Sequence, residues 1–322
     1  MKGTWIRWIA AVLMLIGLSL LVSSPSIAET KKASNSLPLD MKVPGKPPKK
    51  NGWNKDFTKY KDSTIEMSVE KSSLTPTEQL RKRKNSALET LIIRVKIKDP
   101  SQIRTAMSKD TYTGSERVEA EVMAKAKNAV LAINGDFFKY HQTWGYVVRQ
   151  GVFYRDKTDS KYKIDMLAID SQGDFHIVQD ANTKKIEKFT KELPKGVSLV
   201  NTFNWGPVLI QDGKVQSIKD SAVAHRTSFD FQWDRAQQRI CIAQTGPLEY
   251  AIVEVYGRTD GSMGTTLQEF ADYVKKAVPD AIIAYNLDGG GSTNVVVNNK
   301  RICKTPGHRE ITDIIYFASA ED

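Results

Sequence analysis

The chain has 322 residues, 40% hydrophobic and 26% charged, the proportions of an ordinary folded domain, which exclude wholesale disorder and a polytopic membrane protein. Forty-seven Lys and Arg against 37 Asp and Glu give a formal charge of +10. Such a balance points first to nucleic acid, and the first 28 residues argue against it. Lys2 and Arg7 precede an uncharged apolar run from Ile9 to Val22, and Ser26-x-Ala28 supplies the small residues that signal peptidase requires. That run is shorter than the ~20 residues of a bilayer span. Residues 1–28 are expected to be a cleaved signal peptide, with an uncleaved anchor as the alternative. The protein is then secreted or cell-wall associated, and touches the membrane only through this segment before cleavage. Its loss leaves a charge of +8, suited to a wall polyanion and not to nucleic acid.

Residues 29–54, including Pro44-Gly45-Lys46-Pro47-Pro48-Lys49-Lys50, are too polar to offset their ordering entropy and read as a disordered tether. A single domain is expected over 55–322. Thr64–Val69 alternates as a half-buried strand, and Leu91–Ile97 is a second strand. Arg117–Asn128 is predicted to be a helix with Val118, Val122 and Ala126 on one face, followed by a buried strand, Ala129–Ile133. Further strands are predicted at 164–169, 174–179, 206–210, 239–243, 250–255, 281–286 and 294–297, with a hairpin turn at Asp212-Gly213. A second helix, Thr266–Ala277, presents Leu267, Phe270, Ala271 and Val274 to a core. Many strands and few helices predict an α+β fold of mixed, largely antiparallel twisted sheets. Cys241 and Cys303 lie in apolar strand-like stretches without CxxC spacing, so two buried thiols are expected, while export leaves a disulfide open.

Three strand ends deliver polar clusters: Asn134-Gly135-Asp136, His225-Arg226-Thr227, and Asn286-Leu287-Asp288-Gly289-Gly290-Gly291-Ser292-Thr293. In the third, Asn286 and Asp288 alternate to one side, and the glycines let backbone N–H groups approach a ligand as an anion-binding nest. The competing reading is a tight turn whose Asp caps its own backbone. Four histidines without His-x-His spacing give no support to a metal phosphodiesterase, and no Gly-x-Ser-x-Gly elbow supports a serine hydrolase.

In order along the chain, Ala132–Phe138, Trp205-Gly206-Pro207-Val208-Leu209, Arg226-Thr227, Gly257-Arg258 with Ser262 and Gly264, Asn286–Thr293 and Arg309 resemble the motifs of the phosphodiester glycosidases, a family with many exported bacterial members. The resemblance runs from about Tyr60 to Phe317. The chain departs from it at Tyr256, where the family has Asp, and in carrying His225 and His308 before two arginines. What the resemblance implies is hydrolysis between an anomeric carbon and a phosphodiester oxygen, which calls for donors on the phosphate and a carboxylate near the sugar carbon. Asp288 is then the catalytic carboxylate and Asp136 a second. Asn134, Gly206, Arg226, Thr227, Arg258, Asn286, Gly289, Gly290, Ser292 and Arg309 would bind substrate. That substrate is an α-N-acetylglucosamine-1-phosphodiester or a related phosphorylated wall or exopolysaccharide glycan. No cofactor is implied, although Asp and Asn oxygens leave room for a divalent cation such as calcium. The alternatives are a non-catalytic module for anionic wall glycans, or a phosphodiesterase attacking phosphorus.

Overall fold

β-Branched and aromatic runs fill most of the chain and pair, always antiparallel among the described strands, into four sheets. The computed structural model describes residues 37–74, 88–112, 116–136, 145–158, 164–221, 232–259, 261–305 and 307–322. The expected signal segment, residues 1–28, lies outside them, and among the described residues no helix is long and apolar enough to cross a membrane.

The largest sheet has eight strands in the order Lys59–Lys61, Ile65–Leu74, Leu88–Ile97, Glu249–Val255, Arg239–Gly246, Ile283–Asn286, Val208–Gln211 and Lys214–Val215. A five-stranded sheet runs Lys300–Arg301, Val295–Val297, Ala129–Asn134, Asp313–Ala318 and Ile103–Met107. Side chains alternating off one face of each, among them Ile93, Ile252, Tyr285, Leu287, Ile133, Val295 and Phe317, form a shared core. Each fully buried aliphatic or aromatic side chain there contributes about 1.5–3 kcal/mol before the entropy of ordering. The helix Leu267–Ala277 covers the outer face of the large sheet, packing Phe270, Ala271 and Val274 on Ala251, Val253 and Val255. A capping box starts it: Thr266 Oγ1 accepts from the Glu269 amide, and Glu269 Oε2 accepts from the Thr266 amide. A three-stranded sheet, Leu199–Phe203, Ile164–Asp170 and Phe175–Ala181, contributes Leu167, Ile169, Phe175 and Phe203 to the shared core. The pair Val147–Arg149 and Val152–Arg155 completes the set.

The α+β architecture agrees with the sequence reading, and four details differ. The first helix is Ala120–Ala126, and it buries Ala120, Met123 and Ala124, leaving Val122 54% exposed. A third helix, Thr183–Glu192, is absent from the sequence reading; it buries Ile186 and packs Phe189, with Leu193 just past its end, into the same cluster. Strands 103–107 and 313–318 are buried on every residue, and neither alternates. The expected tether is packed from Leu37 onward: Leu39 is buried, Lys46 bridges to Ser319, and Trp53 bridges to Tyr60. The cause is Arg104, whose fully buried guanidinium donates to the carbonyls of Asp40, Val43 and Ser101 and to the Tyr316 hydroxyl. A polar segment here satisfies a buried cation, which composition does not reveal. Cys241 and Cys303 are free thiols. Cys241 belongs to the core under the helix, and Cys303 packs against the core on the other face of the sheet.

Candidate active site

Four strand ends meet where the large sheet and the five-stranded sheet come together. The strand Ala129–Asn134 delivers Asn134 and, two residues on, Asp136; Ile283–Asn286 delivers Asn286 and Asp288; Leu199–Phe203 leads to Asn204 and Gly206; and Asp313 opens the strand Asp313–Ala318. Asn134, Asp136, Asn286 and Asp288 are all buried to 8% exposure or less.

Asn134 spends its amide on the backbone. Nδ2 donates to the Asp288 carbonyl at 2.8 Å, and Oδ1 accepts from the Asn294 amide at 3.0 Å. It therefore fixes both ends of the glycine loop, and both Nδ2 hydrogens are spent on the backbone, the second on the Gly135 carbonyl at 3.2 Å. Asn286 differs. Its Nδ2 donates to the Gly206 carbonyl at 2.7 Å, while Oδ1 is buried with no hydrogen-bond partner among the described residues. A buried acceptor left open costs about 1–3 kcal/mol and awaits a donor. Gly206 adopts φ +67° before Pro207, a conformation that favours glycine.

Asp136 is tied into an ion-pair network that the sequence did not indicate. Its Oδ1 accepts from Arg149 Nη2 at 2.8 Å and its Oδ2 from the Asn204 amide at 2.7 Å. Arg149 also donates Nη2 to Asp313 Oδ2 at 2.7 Å and stacks 4.6 Å from the Phe203 ring centroid. Burial pulls the Arg149 guanidinium down, but Asp136 and Asp313 more than offset it, so the net shift is upward. Arg149 and Asp313 are lone charges beside apolar runs, Val147-Val148 and Ile314–Phe317; a charge at the end of a buried strand is the signal that could have found them.

The glycine loop lies flat against the strand beginning at Arg239. A Cβ on Gly289 would fall 2.6 Å from the Gln238 carbonyl, to which the Gly290 amide donates at 3.0 Å. The amides of Ser292 and Thr293 donate back to Gly289 and Gly290, whereas those of Gly289 and Gly291 find no acceptor among the described residues. The nest is thus partly filled by the protein itself. The exposed Arg309 guanidinium passes 3.6 Å from where a Gly291 Cβ would stand, and its Nη1 donates to Ser292 Oγ at 3.1 Å.

The structure brings together Asn134, Asp136, Gly206, Asn286, Asp288, Gly289, Gly290, Ser292 and Arg309. Arg258, exposed at φ +57°, occupies the adjoining turn, where Gly257 abuts Gln238. It is near enough to Arg239 to add to the burial that lowers that guanidinium's pKa. His225, Arg226 and Thr227 lie outside the described residues. No group of three or more His, Cys, Asp or Glu side chains is placed to hold a metal among the described residues.

A family model described as phosphodiester glycosidase matches residues 127–318. The fold is similar to the zebrafish N-acetylglucosamine-1-phosphodiester alpha-N-acetylglucosaminidase catalytic domain auto-inhibited by pro-peptide, with TM-score 0.62 and 17% identity over 80% of this chain and 84% of that one. It is also similar to a hypothetical protein from Synechocystis, with TM-score 0.50 and 16% identity over 79% of this chain and 62% of the length of that one. No curated protein matches in sequence.

Proposed function

The chain belongs to the phosphodiester glycosidase family, a family of hydrolases acting on glycosyl phosphodiesters, and on that premise we propose that it is an exported enzyme freeing a sugar from a sugar-1-phosphodiester. The substrate class is an α-N-acetylglucosamine-1-phosphodiester or a related phosphorylated wall or exopolysaccharide glycan. The zebrafish protein's name supports the sugar, and the leader-like residues 1–28 support export.

The observation that carries the reading is the open Oδ1 of Asn286, buried one alternate position from Asp288. In this reading the amide oxygen receives a hydroxyl or N–H of the sugar ring, which orients the anomeric carbon toward the Asp288 carboxylate. The carboxylate stabilises positive charge as the glycosidic bond lengthens. The departing group is a phosphate monoester, which leaves with little protonation. Its developing charge falls to Arg309, to the Gly289 and Gly291 amides at the half-exposed rim of the loop, and to Arg226. Asp136, held by Arg149 and the Asn204 amide, shapes the cleft and does not act as a second catalytic carboxylate.

The test is a release assay with α-N-acetylglucosamine-1-phosphate methyl ester. Free N-acetylglucosamine together with methyl phosphate is the expected product pair. In isotopically labelled water the solvent oxygen should enter the sugar, whereas its entry into methyl phosphate would assign attack to phosphorus. Sugar-1-phosphate with methanol would assign attack to phosphorus. Saturable binding without turnover would make the chain a glycan-binding module.

A further inference from the structure

Glu254 is fully buried in the strand Glu249–Val255, on the face that carries the core residues Tyr250, Ile252 and Tyr256. Leu91 and Ile240 flank it across the sheet. Its Oε1 accepts from Gln238 Nε2 at 2.6 Å, and Oε2 has no partner among the described residues. A carboxylate offers about four acceptor positions, so one donor leaves a buried charge largely unsolvated. The charged and titratable groups facing it do not supply the rest. Arg301 acts on it electrostatically while donating to Asn294 Oδ1 at 3.3 Å, with its Nε 4.0 Å from Glu121. Cys303 and Tyr256 are within electrostatic reach, and the pair Lys304–Glu89 lies outside the Tyr256 ring.

Gln238 is the bearing on which the site's turns rest. Its carbonyl holds the Gly290 amide and leaves no room for a Cβ on Gly289, while its own amide stands 2.2 Å from a Cβ on Gly257. The Gln238 Oε1 and Thr293 Oγ1 atoms are likewise buried without partners among the described residues. Cys303, within reach of Glu254, also donates to the Thr293 carbonyl at 3.7 Å. Both ends of the loop from Gly290 to Thr293 thus connect to the surroundings of one buried acid.

We infer that Glu254 is a neutral carboxylic acid that positions the Asp288–Thr293 loop through Gln238, and that its ionisation loosens the loop and switches the site off. The inference rests on the catalytic reading of that loop. Burial pushes Glu254 up to about 8, against the opposing pull of the Gln238 hydrogen bond and of Arg301. A carboxyl with a raised folded-state pKa contributes stability that is fully present below its unfolded value of 4.5 and is lost as pH rises through about 8.

The full chain and its Glu254→Gln variant decide the matter. The variant should gain in melting temperature relative to the parent as pH rises from 5 to 9. Corrected for intrinsic exchange, protection of the Gly290 amide should fall between pH 7 and 9 in the parent and hold in the variant. With the methyl phosphodiester above as probe, kcat/KM of the parent should drop roughly tenfold over that window, and the variant should lack this limb. If the variant fails to fold, infrared difference spectra of the parent still decide. A neutral-acid carbonyl band present at pH 6 and lost by pH 9 is expected, and its absence at pH 6 overturns the inference. An unchanged pH dependence of stability in the variant does the same. Failure to hydrolyse the probe would count against the glycosidase reading alone, since stability, exchange and infrared readouts need no turnover.

Discussion

A carboxylate that serves an oxocarbenium-like centre must keep both charge and aim, and the two are supplied separately here. Charge is intrinsic to Asp288; aim comes from Asn134, which holds the Asp288 carbonyl. Asp288→Asn keeps shape while removing charge, so turnover should fall ~10²-fold or more, a loss of about 3 kcal/mol, with the melting temperature nearly unchanged. Steady-state kinetics beside calorimetry checks both halves. Arg149 behaves in the opposite way. Arg149→Met deprives two buried carboxylates of their shared guanidinium, so unfolding by urea should show a loss of about 3–5 kcal/mol. Adding Asp136→Asn and Asp313→Asn to that variant should recover part of the loss, because no unpaired charge then remains buried.

At the scale of the element, the glycine loop is held by contact with backbone and not with a flexible side chain. Gly289→Ala would place a methyl group 2.6 Å from the Gln238 carbonyl, so the loop must shift. Activity should drop by more than tenfold while stability changes by about 1–2 kcal/mol, compared by kinetics and thermal melting of the same preparation. This loop was legible in the sequence because three glycines after a buried strand break every apolar period. The strands with clean alternation and the helix beginning at Thr266 were legible for the complementary reason. Glu254, Gln238 and Arg149 were not legible as a group. Each is a single polar residue inside or beside an apolar run, and only the pairing of distant strands shows what each one satisfies. The helix Thr183–Glu192 was not legible because its narrow apolar face, Ile186 and Phe189 with Leu193 beyond, is interrupted by lysines and glutamates. Asn134 was legible in position only, since a motif does not say which of an amide's atoms are spent on the backbone.

For the molecule as a whole, residues 37–54 are a structural component. A chain beginning at residue 55 would remove two of the carbonyls that accept from Arg104 and uncover the wall that Leu39 seals. It should lose about 3 kcal/mol or more of stability by denaturant titration, and a loss below about 1 kcal/mol would show the segment to be dispensable. The same packing sets residues 45–49 beside 318–322: Lys46 pairs with Ser319 through the backbone and with Asp322 through its ammonium group, and Lys49 reaches Glu321. A ring closed there need bridge only a short gap. A flexible linker of about a dozen residues, reaching roughly 20 Å, could join Asp322 to Leu37. New ends could then be cut at Gly196, an exposed turn whose Cβ position meets nothing within 4 Å. Such a circular permutant should keep the fold and the cleft, and it would let the glycine loop be anchored to a surface or a fusion partner from a different side of the molecule.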